Sequence, residues 1–212
     1  MDYLREHPDR VWELLKQHLE LVAYSTLIAI AIGVPVGILV TRVRWLAPIV
    51  LNVTGILYTV PSLALFAILI PYTGLGFRTA TIALVMYSLL AIVRNTAEGI
   101  DSVLPATIDA ARGMGMTGRQ RLFLVELPLA LPVILVGVRI ATVAAIGIAT
   151  IAATIGAGGL GRLIFDGMRS LDTDRIIAGA LVASVLALLA DWGIGRLGDL
   201  LRRDLRPASG RR

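Results

Sequence analysis

From residue 21 to residue 41 the chain carries no charged side chain, and a second uncharged run extends from residue 45 to residue 77. A helix crossing a hydrocarbon core roughly 30 Å thick needs about 20 such residues, so runs of this length restrict the possible folds more than any other feature. Composition agrees: 57% of the 212 residues are hydrophobic and 17% are charged, more apolar surface than a soluble fold of this size can hide. The expected fold class is therefore an all-α polytopic membrane protein. The absence of cysteine excludes disulfides, thiolate metal sites and cysteine nucleophiles, and the two histidines, His7 and His18, both precede the first apolar run.

Breakers divide the runs into about five spans. The first, near residues 21–41, is too late and too long for a cleavable signal peptide. The second run exceeds one crossing and contains Pro61 and Pro71, which predicts a span near 46–70 kinked at Pro61 and closed by a Gly-rich turn at 72–76. Further spans fall near 78–97, 127–154 (carrying Arg139) and 176–192. Residues 1–20 form an N-terminal segment in which Val11, Leu14, Leu15 and Leu19 recur at helical spacing, so an interfacial helix is expected there rather than a metal site at His7 or His18. Residues 21–194 make the membrane domain, 98–126 a polar loop within it, and 195–212 a basic tail.

Charge orients these spans. With the N-terminus outside, twelve arginines fall on cytoplasmic segments against seven basic residues outside, where eight of the acidic residues also lie. The positive-inside rule thus predicts an external N-terminus and a cytoplasmic C-terminus. It also makes the net charge of +5 a topology signal facing the lipid bilayer, with no nucleic-acid partner implied.

The loop at 98–126 has the punctuation of folded structure. Pro105 suits a first helical turn, Gly115 a stop, and Thr117 with Gln120 has the spacing of a capping box opening a second helix. Ala106, Asp109, Ala110 and Gly113 share one face of the first helix, a strip of small residues beside one carboxylate. Such a face suits docking into a groove of a partner protein, and it equally suits packing on the membrane or on the chain itself.

Within this loop Asp109-Ala110-Ala111, three residues, Gly115, nine residues, Val125, one residue and Leu127-Pro128 follow one another. This resembles the signature of the permease subunits of binding-protein-dependent ABC importers, Glu-Ala-Ala, three residues, Gly, nine residues, Ile, one residue, Leu-Pro. Every interval matches, with Asp in place of Glu and Val in place of Ile. Stretches from Thr59, Ala110, Val125 and Ala153 are similar to the osmoprotectant branch, which carries glycine betaine, choline, carnitine and related quaternary amines. The resemblance implies a type I importer permease that pairs with a second permease subunit, homologous or identical. It implies two ATPase subunits holding ATP and Mg, and an external substrate-binding protein that hands over the solute. Asp109, Ala110, Ala111, Gly113, Met114, Gly115 and Met116 would then carry the coupling to the ATPase. The chain has no phosphate loop of the G-x-x-x-x-G-K-[ST] kind, so no ATP hydrolysis, no catalytic residue, no metal and no bound cofactor are expected of it.

Gly156, Gly158, Gly159 and Gly161 satisfy a dinucleotide-binding pattern, yet the required preceding strand is missing, and a close-packed turn or external gate after the fourth span is the expectation. Arg139 is an intramembrane charge and must face protein or water, either the translocation path or a pairing within the bundle, of which the pairing is preferred. Asp191, near Trp192, is expected to anchor a span end at the interface, as are Arg94 and Asn95. Aromatic faces hold quaternary ammonium groups, which makes Tyr58, Phe66, Tyr72 and Tyr87 candidates for the path. A methionine-type importer permease is the neighbouring alternative. An ion-driven secondary transporter fits less well, because the spans show neither a clear internal repeat nor a buried carboxylate.

Overall fold

The computed structural model describes residues 2–204, so the end of the basic tail, 205–212, lies outside the described residues. Helix α1 (Asp2–Glu6) leads into α2 (Pro8–Arg42), followed by α3 (Leu46–Thr59), α4 (Ser62–Thr73) and α5 (Phe77–Asp101). Two short helices, α6 (Pro105–Gly113) and α7 (Gly118–Arg121), and a π-helical turn (Leu122–Glu126) carry the chain into α8 (Leu127–Ala152). A 3-10 turn, α9 (Gly161–Ser170) and α10 (Thr173–Asp204) complete it. Helices α2, α5, α10 and the continuous segment through α8 are long and apolar enough to cross a membrane, and the bent pair α3–α4 supplies a fifth candidate span.

The expected kink at Pro61 is a break: α3 and α4 meet at 101°. Val60 is extended, with ψ of 128°, as the steric restriction on a residue before proline favours, and Pro61 continues extended with ψ of 137°. The freed carbonyl of Val60 accepts a hydrogen bond from the Tyr87 hydroxyl on α5, which satisfies a backbone acceptor that lipid could not. The N-terminal stretch also departs from an interfacial helix. From Pro8 onward it is continuous with the first span, and Val11 and Leu14 are buried against Leu160, Leu163 and Ala183 of the α9–α10 end. His18 is fully buried, where an interfacial position would leave it wet.

The bundle is built around α5, the most buried of the long helices, with α2 and α8 against it and α3 and α4 alongside. Lipid is as apolar as the side chains, so close backbone approach has to hold such helices together. Glycines make that approach where α2 and α8 cross α5. A Cβ at Gly37 of α2 would lie 2.5 Å from the Thr96 Cβ, and one at Gly137 of α8 would lie 2.6 Å from the Asn95 Cβ and 2.7 Å from the Ala91 carbonyl oxygen. Gly33, one helical turn before Gly37, meets Ile92 in the same way and completes a small-xxx-small seam.

The same substitution is therefore expected to act with opposite sign at two sites. Gly37→Ala should cost about 1–3 kcal/mol by overpacking. Gly55→Ala on α3, where nothing lies within 4 Å of the new methyl, should be neutral or stabilising by up to about 1 kcal/mol through helix propensity. Thermal unfolding of the two detergent-solubilised variants checks this, and equal losses would refute the seam.

Candidate coupling surface and membrane path

At the end of the bundle where α5 leaves and α8 enters, α6 is positioned by its own sequence. Pro105 occupies its first turn, where a missing N–H costs nothing, and Met114 closes it by donating to the Ala110 carbonyl at 3.0 Å. Gly115 then takes φ +79°, a conformation that suits glycine, and the chain turns into α7. Thr117 and Gln120 form the reciprocal capping box: the Thr117 hydroxyl accepts from the Gln120 N–H at 3.3 Å, and the Thr117 N–H donates to the Gln120 side chain at 2.8 Å. The result is a folded elbow of two short helices standing off the bundle.

Ala106, Asp109, Ala110 and Gly113 on α6, and Met114 just after it, are exposed, whereas Ala111 is buried. Among the residues expected to carry coupling, Asp109, Ala110, Gly113 and Met114 thus share an open face with Gly115. Ala111 anchors that face from behind, and Met116 is half-buried, its N–H bonded to the Ala111 carbonyl at 3.1 Å. Among the described residues Asp109 pairs with Arg112, at 3.3 Å on the same helix, and both side chains are well exposed. An exposed pair of this kind contributes little stability, which leaves the carboxylate available to a partner.

The residue that fixes this elbow is one that sequence reasoning passed over. Glu126, with a side chain 2% exposed, accepts from Arg121 at 2.8 Å and is also paired with Arg42 at the end of α2. A buried carboxylate held by two guanidiniums joins the loop, α8 and α2 at one point. Its signal in the sequence was a lone acid within the apolar stretch from Leu122 to Leu127. The π-helical turn ends here, Leu127 N–H reaching back to the Leu122 carbonyl. Pro128, which follows, has no N–H to offer the preceding turn, so the Leu-Pro pair sits where regular α-helical bonding is interrupted. Beside this joint an open cavity of about 290 Å³ is lined by Thr41, Arg42, Asp101, Asp109, Arg121 and Glu126 among others.

The other candidates divide into three places. Tyr58 and Tyr87 come together, ring centroids 6.1 Å apart at 77°, with Tyr87 buried and Tyr58 half exposed. Arg139 stands apart from them, paired through two guanidinium nitrogens with both carboxylate oxygens of Asp191 on α10. Asp191 is thus the partner of the intramembrane arginine, where an interfacial anchor had been expected. Phe66 is buried in the core and Tyr72 is exposed at the far end of α4, so neither joins Tyr58.

The glycine-rich turn lies at the opposite end of the bundle. Gly156, Gly158 and Gly159 all have positive φ. The Gly159 N–H donates to the Gln17 side chain at 3.2 Å, and a Cβ at Gly159 would come 2.9 Å from the His18 ring. A Cβ at Gly161 would collide with the Thr150 carbonyl oxygen. The turn is packed against α2 and α8, with no strand among the described residues to make it a dinucleotide site.

The described residues thus form a helical bundle of four to five candidate membrane spans, with a folded, exposed elbow between α5 and α8. The comparisons agree. The family described as binding-protein-dependent transport system inner membrane component matches residues 33–203. The chain is 47% identical over 204 residues to the osmoprotectant import permease protein OsmW of Salmonella typhimurium, covering 94% of this chain and 95% of the relative. It is 44% identical over 181 residues to the carnitine transport permease protein OpuCB of Listeria monocytogenes, with 85% and 83% covered. With the choline transport system permease protein OpuBD of Bacillus subtilis it shares 42% over 213 residues, 100% and 92% covered. Among solved structures, an inward-facing conformation of the MetNI methionine ABC transporter superposes with a TM-score of 0.82 at 23% identity, covering 91% of this chain and 96% of that one, a likeness of fold. The chain belongs to the binding-protein-dependent transport system inner membrane component family and is the permease subunit of an ABC importer.

Two ion pairs give testable consequences. Glu126→Gln leaves Arg121, itself largely buried, and the more exposed Arg42 without their carboxylate, and an uncompensated charge of this kind is destabilising. A clear fall in the melting temperature of the detergent-solubilised protein is expected, and an unchanged one would refute the joint. For the pair within the bundle, Arg139→Ala should reduce the yield of monodisperse protein on size exclusion, and the exchange Arg139→Asp with Asp191→Arg should restore it. Failure of the exchange to restore yield would show that Arg139 serves something other than Asp191.

Proposed function

We propose that the chain moves osmoprotectant quaternary amines (glycine betaine, choline, carnitine or their analogues) into the cell across the inner membrane. The observation that carries this reading is the near full-length identity of 47% to a relative named as an osmoprotectant import permease, with relatives named for carnitine and choline beside it. The family supports partners of two kinds, a binding protein and an ATPase, and the fuller assembly is two permease subunits with two ATPase subunits that hold ATP and Mg. The N-terminus lies outside and the elbow faces the cytoplasm, as the excess of arginine on its side favours.

In this mechanism the ATPase grips the open face of α6, with Asp109, Ala110, Gly113, Met114, Gly115 and Met116 at or beside the contact and Ala111 behind it. Nucleotide-driven closure moves the elbow, and the Arg42–Glu126–Arg121 joint transmits that movement to α2 and α8. Alternating access follows from the partner's differential binding of the two states, so this chain performs no chemistry on ATP. The Gly156–Gly161 turn closes the outer end of the bundle.

Reconstituted with its ATPase and binding protein, the complex should hydrolyse ATP faster with one or more of glycine betaine, choline and carnitine than with methionine. Stimulation by methionine and by none of the quaternary amines would overturn the substrate assignment. Asp109→Lys, or Gly115→Leu at a position with positive φ and open space for the side chain, should leave the protein inserted and uncouple uptake from ATP hydrolysis by tenfold or more, roughly 1.4 kcal/mol of lost coupling. Tight coupling in both variants would remove α6 from the mechanism.

A further inference from the structure

An open cavity of about 380 Å³ lies between α3, α5 and α8, apart from the coupling elbow. Its lining includes Tyr58, Ala91, Arg94, Asn95, Glu98 and Ile140. Its aromatic wall is set by the broken helix. Tyr58 is in the last turn of α3, and its ring stands edge to face with Tyr87, itself buried and bonded to the Val60 carbonyl at the break. Tyr58, 47% exposed as a residue, is thus held in place while remaining open. On α5, Arg94 donates through Nε to Glu98 at 2.9 Å, and both side chains remain more than half exposed. Asn95 fits beside them because Gly137 on α8 has no side chain, and its amide donates to the Ala91 carbonyl at 2.9 Å.

We infer that this cavity is a binding site within the permease for the quaternary ammonium solute itself. The inference rests on the substrate class proposed above and adds the place where the solute sits in this chain. A trimethylammonium group has no N–H to donate, so it is recognised by an aromatic face and a carboxylate, here Tyr58 and Glu98. A carboxylate on the same solute is recognised by a guanidinium and an amide, here Arg94 and Asn95. Opposite charges side by side, with no net charge, match a short zwitterion such as glycine betaine. A cation such as choline uses the Tyr58–Glu98 half alone. The cavity stands toward the end of α5 that leads into the elbow.

The test uses the permease–ATPase complex in nanodiscs free of choline lipids, so that no lipid headgroup supplies the same cation. Binding of radiolabelled glycine betaine and choline is measured without the binding protein, and uptake is measured with it. Saturable binding of both solutes is expected. Tyr58→Leu should weaken both about fivefold and Tyr58→Phe, which keeps the π-face, should stay within about twofold of wild type. Glu98→Gln should weaken both solutes, whereas Arg94→Gln should weaken glycine betaine and spare choline, a split that a misfolded variant cannot produce. If the complex takes up glycine betaine through its binding protein while showing no saturable binding without it, and all four variants keep the wild-type KM, the site is overturned and the transport function stands. If it takes up no quaternary amine at all, the substrate reading falls and this site with it.

Discussion

Close approach of backbones at α5 is the constraint on which the rest of this structure depends. Between helices in lipid there is little to gain by hiding apolar side chains from equally apolar tails, so van der Waals contact must be made at short range. Gly33 and Gly37 bring α2 onto α5, and Gly137 brings α8 onto it from another side. With these contacts fixed, α5 becomes a post against which the broken α3–α4 pair leans, its freed carbonyl held by Tyr87. Both Arg94 and Glu98 of the proposed solute cavity, and the start of the elbow, are mounted on this same helix.

Polar interactions have a different task here. The ion pairs of Arg139 and of Glu126 each tie separate elements. Arg139 and Asp191 join α8 to α10, which is otherwise the least buried of the long helices. Glu126 joins α2, the elbow and α8. Because an unpaired charge in such surroundings is expensive, these pairs specify which elements stay together more than they add to net stability.

What could be read from the chain was local in sequence. The spans were legible as uncharged runs, and the elbow as Pro105, Gly115 and the Thr117–Gln120 spacing, because each signal lies within a few residues of the structure it specifies. The depth of the break at Pro61 was not legible, since a proline permits a range of bends and Tyr87, on another helix, helps set this one. The partner of Arg139 was hidden for a similar reason: Asp191 is 52 residues away and was read as an interfacial anchor. Glu126 was overlooked because the signature treats its position as a spacer, and His18 was read as interfacial although the Gly159 backbone packs against it.

The π-helical turn from Leu122 to Glu126 gives the elbow a property of phase. Such a turn holds one residue more than the α-helix that would replace it, and each α-helical residue advances the azimuth by about 100°. Were the turn to tighten into regular helix, everything before it would rotate by roughly that angle about the axis of α8. The face of α6 now open would turn aside, and Arg121, ahead of the turn, would part from Glu126 at its end. The extra residue therefore works as an angular setting, and the Arg121–Glu126 pair bridges the turn that makes it.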